Sequence, residues 1–227
     1  MKKTLFFAGA LIAGSLTAQI TQDDRLVIPK GTWTVGGNLS VNTLSNTSEN
    51  EPFTSENSST GISFLPNLGY AVGKNTVLGI RPGYRYGESE STFLEDNTIN
   101  SSRTTEFHAL SIASYLRRFF PLNKNLALYL QGELGYEHLR GESTSENNTL
   151  SESESTTDTF FIGIRPGITY FVSKAFALEA GIGALQYERS ESEFTDSNET
   201  VISTEDRNRF NFDLDTSQIF FGLSYYF

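Results

Sequence analysis

The sequence predicts an all-β chain: an eight-stranded antiparallel up-and-down β-barrel that crosses a membrane on its strands. Three observations carry that reading. Apolar residues recur at alternate positions, in stripes of about five that match the ~9 to 11 residues a tilted strand needs to cross a bilayer. Tight turns and long polar tracts alternate at a spacing near fifty residues. Beyond the first twenty positions, no apolar run is long enough for a membrane-spanning helix.

The tight turns are Val72-Gly73-Lys74-Asn75, Leu122-Asn123-Lys124-Asn125 and Val172-Ser173-Lys174-Ala175, and their lysines stand fifty apart. The polar tracts centre near Asn50, Asn97, Asn148 and Asn198. Three short connections interleaved with four long ones require eight strands, with both ends of the barrel chain on the tight-turn side. GIRPGYRY at 79–86 and GIRPGITY at 163–170 echo each other within this hairpin repeat.

The strands are expected at about 31–44, 60–73, 76–88, 104–120, 125–140, 158–172, 175–189 and 210–227. Side chains alternate across a strand, so each divides into two faces. Trp33, Val35, Leu39 and Val41 oppose Thr34, Gly36, Asn38 and Ser40 in the first. In the second and third, Ile62, Phe64, Leu68 and Tyr70, then Leu78, Ile80, Tyr84 and Tyr86, share the apolar face. The fourth is less clean, because Ser114 falls among Leu110, Ile112 and Leu116. Leu126, Leu128, Leu130 and Leu134 mark the fifth, Phe160, Ile162, Ile164 and Ile168 the sixth, and Phe176, Leu178, Ala180 and Ile182 the seventh. In the last, Ile219, Phe221, Leu223, Tyr225 and Phe227 alternate with Phe220, Gly222, Ser224 and Tyr226. Pro66, Pro82 and Pro166 are awkward inside paired strands, and bulges or register irregularities are expected there.

In a soluble sandwich the apolar faces would meet each other and the polar faces water. Here the polar face is rich in glycine and holds charges of both signs, which suits the confined lumen of a small barrel. Trp33, Tyr70, Tyr170 and Tyr225 lie toward the tight turns and Tyr84, Tyr86 and Tyr136 toward the long connections, as interfacial girdles do.

Lys2 and Lys3 precede an apolar run from Leu5 to Ala13 and the stretch GSLTAQ. This is the pattern of a secretory signal peptide over 1–18, followed by a short periplasmic leader at 19–30 and the barrel at 31–227. At the other end, Gly222, Tyr225 and Phe227 resemble the C-terminal insertion signal of Gram-negative outer-membrane barrels, although Phe220 stands where a polar residue is usual. With the turn pattern and strand count, the chain resembles small outer-membrane barrels of the OmpA-transmembrane-domain and OmpX type. The resemblance implies an outer-membrane location, short turns periplasmic and long loops extracellular, and insertion by the barrel-assembly machinery. It does not imply an activity, since such barrels include anchors, adhesins and proteins of other roles.

Composition restricts the function classes. With 227 residues and no cysteine, the chain forms one sizeable domain without disulfides. The net charge is −10, and −12 once Lys2 and Lys3 leave with the signal peptide, which excludes nucleic acid as an expected partner. No nucleophile elbow, phosphate-cradling loop or nucleotide fingerprint is present. The histidines are His108 and His138, too few for a metal site of ordinary spacing. His108-Ala109-Leu110-Ser111 also misses by one place the His-x-Ser pattern of lipid A deacylase barrels. No catalytic residue, metal or cofactor is therefore expected.

The informative polar set is the inward-facing one: Arg81, Arg85, Arg117 and Arg165 against Glu133, Glu137 and Glu179. Charges in a low-dielectric lumen must be paired or hydrated, so these residues read as an ion-pair network filling the barrel. The long tracts, such as ESTSENNTLSESESTTD at 142–158, read from composition as mobile, solvated acidic loops. Together these features predict a non-enzymatic envelope structural or surface-interaction protein. Its partners would be outer-membrane lipid and lipopolysaccharide, through divalent cations, and an envelope protein docking to the loops. The alternative is a narrow gated ion channel or a small-solute-binding, porin-like barrel.

Overall fold

The computed structural model describes residues 25–96, 98–147, 150–182, 184–196, 200–213 and 219–227. The expected signal peptide lies outside the described residues. Among the described residues all the regular structure is strand: β1 (Trp33–Asn50), β2 (Phe53–Gly73), β3 (Thr76–Glu95), β4 (Thr98–Pro121), β5 (Leu126–Glu146), β6 (Leu150–Phe171), β7 (Phe176–Ile182), β8 (Ala184–Asp196), β9 (Val201–Asp213) and β10 (Ile219–Tyr226). Each strand from β1 to β6 pairs antiparallel with the next, β6 pairs with β7, β7 with β10, and β10 with β1. That closes an antiparallel ring of eight strands. β8 continues the place of β7 beside β6, and β9 pairs with β8.

At the turn end closure leaves no edge, as a bilayer requires of sheet; beyond Asn38, β1 pairs only with β2, and β9 only with β8, among the described residues. Closure is completed by Thr34 to Asn38 of β1 against Gly222 to Tyr226 of β10 and by reciprocal backbone bonds between Trp33 and Phe227, 2.8 and 3.0 Å. The apolar parity faces outward as expected: Leu110, Leu134, Phe160 and Phe221 are all more than half exposed. At the turn end Trp33 lies 5.0 Å from Tyr70, and Phe227 stacks on Tyr225 at 5.8 Å. The outward Ser114 donates its hydroxyl to the Leu134 carbonyl at 3.4 Å, which satisfies it within the wall.

The prolines mark irregularities of two kinds. Between β2 and β3 the ladder lapses from Phe64↔Tyr84 to Leu68↔Ile80, the interval holding Pro66 and Pro82, without a change of register. Across Pro166 the register of β6 changes by one residue, between its pairing with β8 and its pairing with β7. None of these prolines can donate to a ladder, which is the physical reason the pairing yields there.

The largest departure from expectation concerns the polar tracts. They are not loops. β1 and β2 stay paired as far as Asn50↔Phe53, β3 and β4 to Glu95↔Thr98, and β5 and β6 to Glu146↔Leu150. The physical reason lies in their period: in Leu150-Ser-Glu-Ser-Glu-Ser-Thr-Thr-Asp158, polar residues of two kinds alternate as a strand's faces do. Inward hydroxyls bond across the strands, with Thr157 to Ser192 and Thr159 to Ser190 both 2.9 Å apart.

At the turn end the leader is drawn into the barrel. Ile28 is buried among Val77, Phe119, Ala127, Phe171 and Tyr226, with Leu26 packed against them. The Ile28 amide donates to Asn75 Oδ1 at 2.7 Å and the Asn75 amide to the Ile28 carbonyl at 2.9 Å. Asn75 has a φ of 56°, a left-handed conformation that asparagine tolerates. The Leu26 amide reaches the Asn123 carbonyl in the next tight turn, so residues 26–28 strap two turns together. Ile28→Ala should lower stability by about 2 kcal/mol or more, read as an earlier loss of the heat-modifiable band on a gel. Arg25→Ala, at an exposed position, should leave it unchanged; equal behaviour of the two variants would show that the strap does not hold the turns.

Candidate functional site

The lumen is the polar centre of the structure, and its filling follows from the inner face of each strand. Glycines on that face make room for rings: a Cβ on Gly79 would collide with Tyr115, and one on Gly167 with Tyr129. Those tyrosines in turn surround Arg117, whose guanidinium lies 4.4 Å from the Tyr129 ring centre and 5.5 Å from that of Tyr115. Arg117 donates from Nη1 to both oxygens of Glu179, 2.8 and 2.7 Å, and from Nε to Gln131 Oε1 at 2.9 Å. Glu179 also accepts from Ser224 Oγ at 2.8 Å and from the Tyr226 hydroxyl at 3.3 Å.

A second centre is Glu133, whose side chain is fully buried. Arg81 Nη2 donates to its Oε2 at 2.7 Å and Arg165 Nε to its Oε1 at 2.5 Å. Gln131 joins the two centres, because its amide nitrogen donates to Glu133 Oε2 at 3.2 Å. Arg165 continues to Gln186 at 3.0 Å, and Gln186 donates to Glu188 at 2.8 Å. Arg85 and Glu137 form a separate bidentate pair that is more exposed than the other two groups. The seven network residues named from sequence thus fall into three ion-paired groups of the lumen: Arg117 with Glu179, Arg85 with Glu137, and Arg81 and Arg165 sharing Glu133.

A ring built this way, with lipid-facing apolar residues outside and paired charges within, agrees with the sequence comparison. Residues 6–227 match the family described as outer membrane protein beta-barrel domain. The chain belongs to that family. This outer-membrane barrel has no sequence match among the curated proteins. Among solved structures it is similar to Neisserial surface protein A, at 16% identity and a TM-score of 0.39 over 87% of this chain and 100% of that one. It is also similar to a major outer membrane protein from Thermus thermophilus, at 11% identity and a TM-score of 0.44 over 87% and 99%. A third is Ail, the attachment invasion locus protein of Yersinia pestis, at 12% identity and 0.37 over 87% and 99%.

Sequence reasoning on this outer-membrane barrel missed Gln186 and Glu188. The apolar parity of the seventh strand sits on even positions through β7 and on odd ones in β8, where Leu185 pairs with Ile164 and Gln186 with Gly163. A single parity drawn through 175–189 turns both polar residues outward. The signal was the break at Ala184-Leu185, where two apolar residues adjoin. The histidines stand outside the network: His108 Nδ1 lies 2.8 Å from the Tyr84 hydroxyl and His138 Nδ1 2.8 Å from Asp158. Gly222 pairs with Asn38 and Glu179 in the closing seam, and Tyr225 and Phe227 face outward beside it.

Removing one partner from a buried ion pair costs more than the pair itself contributes. Glu133→Gln leaves Arg81 and Arg165 without their shared anion and should lower stability by about 3 kcal/mol, measured by denaturant unfolding in detergent. Glu137→Gln, at the more exposed pair, should cost under about 1 kcal/mol. The reverse ranking would show that Glu133 does not anchor the lumen.

Proposed function

We propose that this barrel is a non-enzymatic envelope protein that acts through its extended hairpins, which face the cell exterior while the tight turns face the periplasm. One observation carries this reading: on β3 to β6, β8 and β9 the outward face gains carboxylates at the end of the apolar belt. Below that level the outward residues are mostly Leu, Ile, Phe and Val; above it they are polar, with glutamates and aspartates aligned in rows. Glu88, Glu106, Glu142 and Glu154 stand directly opposite one another on four adjacent strands, and Asp158, Glu191 and Asp206 do so on three. Arg140 lies between Glu154 at 2.9 Å and Glu142 at 3.8 Å, and Arg189 pairs with Glu191 at 2.8 Å, so each row is compensated only in part; Glu88 and Glu106 have no ion pair among the described residues.

Like charges directly opposed across a sheet are destabilising, so such rows serve something outside the fold. Their height, just beyond the lipid belt, favours lipopolysaccharide as the neighbour, held through divalent cations that hard carboxylate oxygens bind. An envelope protein with a basic face would use the same surface. Assembly is assigned to the barrel-insertion machinery, reading Gly222, Tyr225 and Phe227. The channel alternative finds less support, because the lumen is filled by paired charges and rings.

A variant with Glu88, Glu106, Glu142 and Glu154 all changed to Gln tests the reading. It should insert normally, melt at a higher temperature than the wild type in buffer free of divalent cations, and copurify with several-fold less lipopolysaccharide when magnesium is present. Unchanged lipopolysaccharide recovery would contradict the assignment.

A further inference from the structure

Beyond the belt, the lumen-side face of the β2–β5 sheet holds a cavity of about 270 Å³ near the hairpin tips. Most of its lining comes from two neighbouring rows of one face. Ser91, Arg103 and Ser145 oppose one another in one, and Ser55, Phe93 and Ser101 in the next. The β3–β4 ladder slips between Phe93 and Leu94, leaving Asn100 without an opposite residue; bulges of this kind re-aim neighbouring side chains. Phe93 is held by stacking on Phe53, with ring centres 5.6 Å apart and planes at 21°. Ser91 donates to Asn57 Oδ1 at 2.8 Å, which fixes that hydroxyl's direction.

Arg103 is the unusual member. Of the other hairpin arginines, Arg140, Arg189 and Arg207 each pair with a glutamate, while Arg209, which lines no part of this cavity, has no ion pair among the described residues. Arg103 lines the cavity, and its side chain makes neither an ion pair nor a hydrogen bond among the described residues. A planar cation with five donors matches a carboxylate in bidentate geometry. Serine hydroxyls both donate and accept, as a polyol's partners must, and a fixed aromatic ring offers an apolar platform. The volume lies at the small end of ligand pockets and admits one sugar ring. Glu95, two residues along β3 from Phe93 on the same face, favours a monoanion over a doubly charged phosphate.

We propose that this cavity binds a single acidic sugar residue of the uronic type, with Arg103 on its carboxylate, Phe93 against its ring and the serines on its hydroxyls. The assignment rests on the hairpins being the exterior, interacting part of the protein. The test is titration calorimetry of the full chain in lipid nanodiscs with sodium glucuronate, glucose, acetate and glucose 6-phosphate. Glucuronate should bind saturably and at least tenfold more tightly than the other three. Arg103→Gln should weaken it at least tenfold, Arg103→Lys by less, and Phe93→Ala should also weaken it, while the heat-modifiable gel band confirms folding in each. Absence of saturable glucuronate binding, equal binding of acetate or of glucose 6-phosphate, or indifference to Arg103→Gln would overturn the proposal. The four-glutamate variant should keep glucuronate binding within twofold, so failure of the lipopolysaccharide reading and failure of this site are separately visible.

Discussion

Everything in this structure depends on closing eight strands into a ring whose interior must then be filled. In hydrocarbon an unpaired sheet edge is not tolerated, so β1 has to meet β10, and the backbone bonds between Trp33 and Phe227 finish that seam. Eight strands leave an interior about wide enough for side chains alone. The chain meets this with rings laid against glycines and with charges that neutralise one another, Arg117 on Glu179 and Arg81 with Arg165 on Glu133. Ile28 seals the turn end of the same interior.

The same strands then serve a second environment. Within the belt they are apolar outside and polar inside; beyond it both faces are mostly polar, with carboxylate rows outside on β3 to β6, β8 and β9 and mainly hydroxyls inside, where Phe53 and Phe93 are the exceptions near the β2–β3 tip. The hydrogen-bond ladders run through this change without interruption in β1–β2 and β5–β6. The hairpins are therefore extensions of the barrel wall, and their surfaces are presented in fixed register. The opposed glutamates of four strands and the row of Ser91, Arg103 and Ser145 are both products of that register.

Much of the ring was legible in the sequence, because apolar alternation and lysine-marked turns are local signals. Leu128, Leu130 and Leu134 face out and Gln131 and Glu133 face in, as period two requires. The hairpins were not legible by composition, since Ser, Thr, Asn and Glu tracts score as solvated coil. Their own period of two, as in Ser151 to Ser155, carries the strand signal without any hydrophobic residue. Gln186 and Glu188 were hidden by a one-residue register change near Pro166, which only the pairing of β6 with two successive strands shows. Ile28 was hidden differently: nothing local in Leu26-Val27-Ile28 indicates that Asn75 and Asn123 will hold it.

The central claim is that paired charges and rings close the lumen, and planar-bilayer recording tests it most directly. The purified wild-type protein should show no sustained conductance steps. Long-lived openings whose ion selectivity changes in Glu133→Gln or Arg165→Gln, with stability retained, would contradict a filled barrel and make the lumen a gated path.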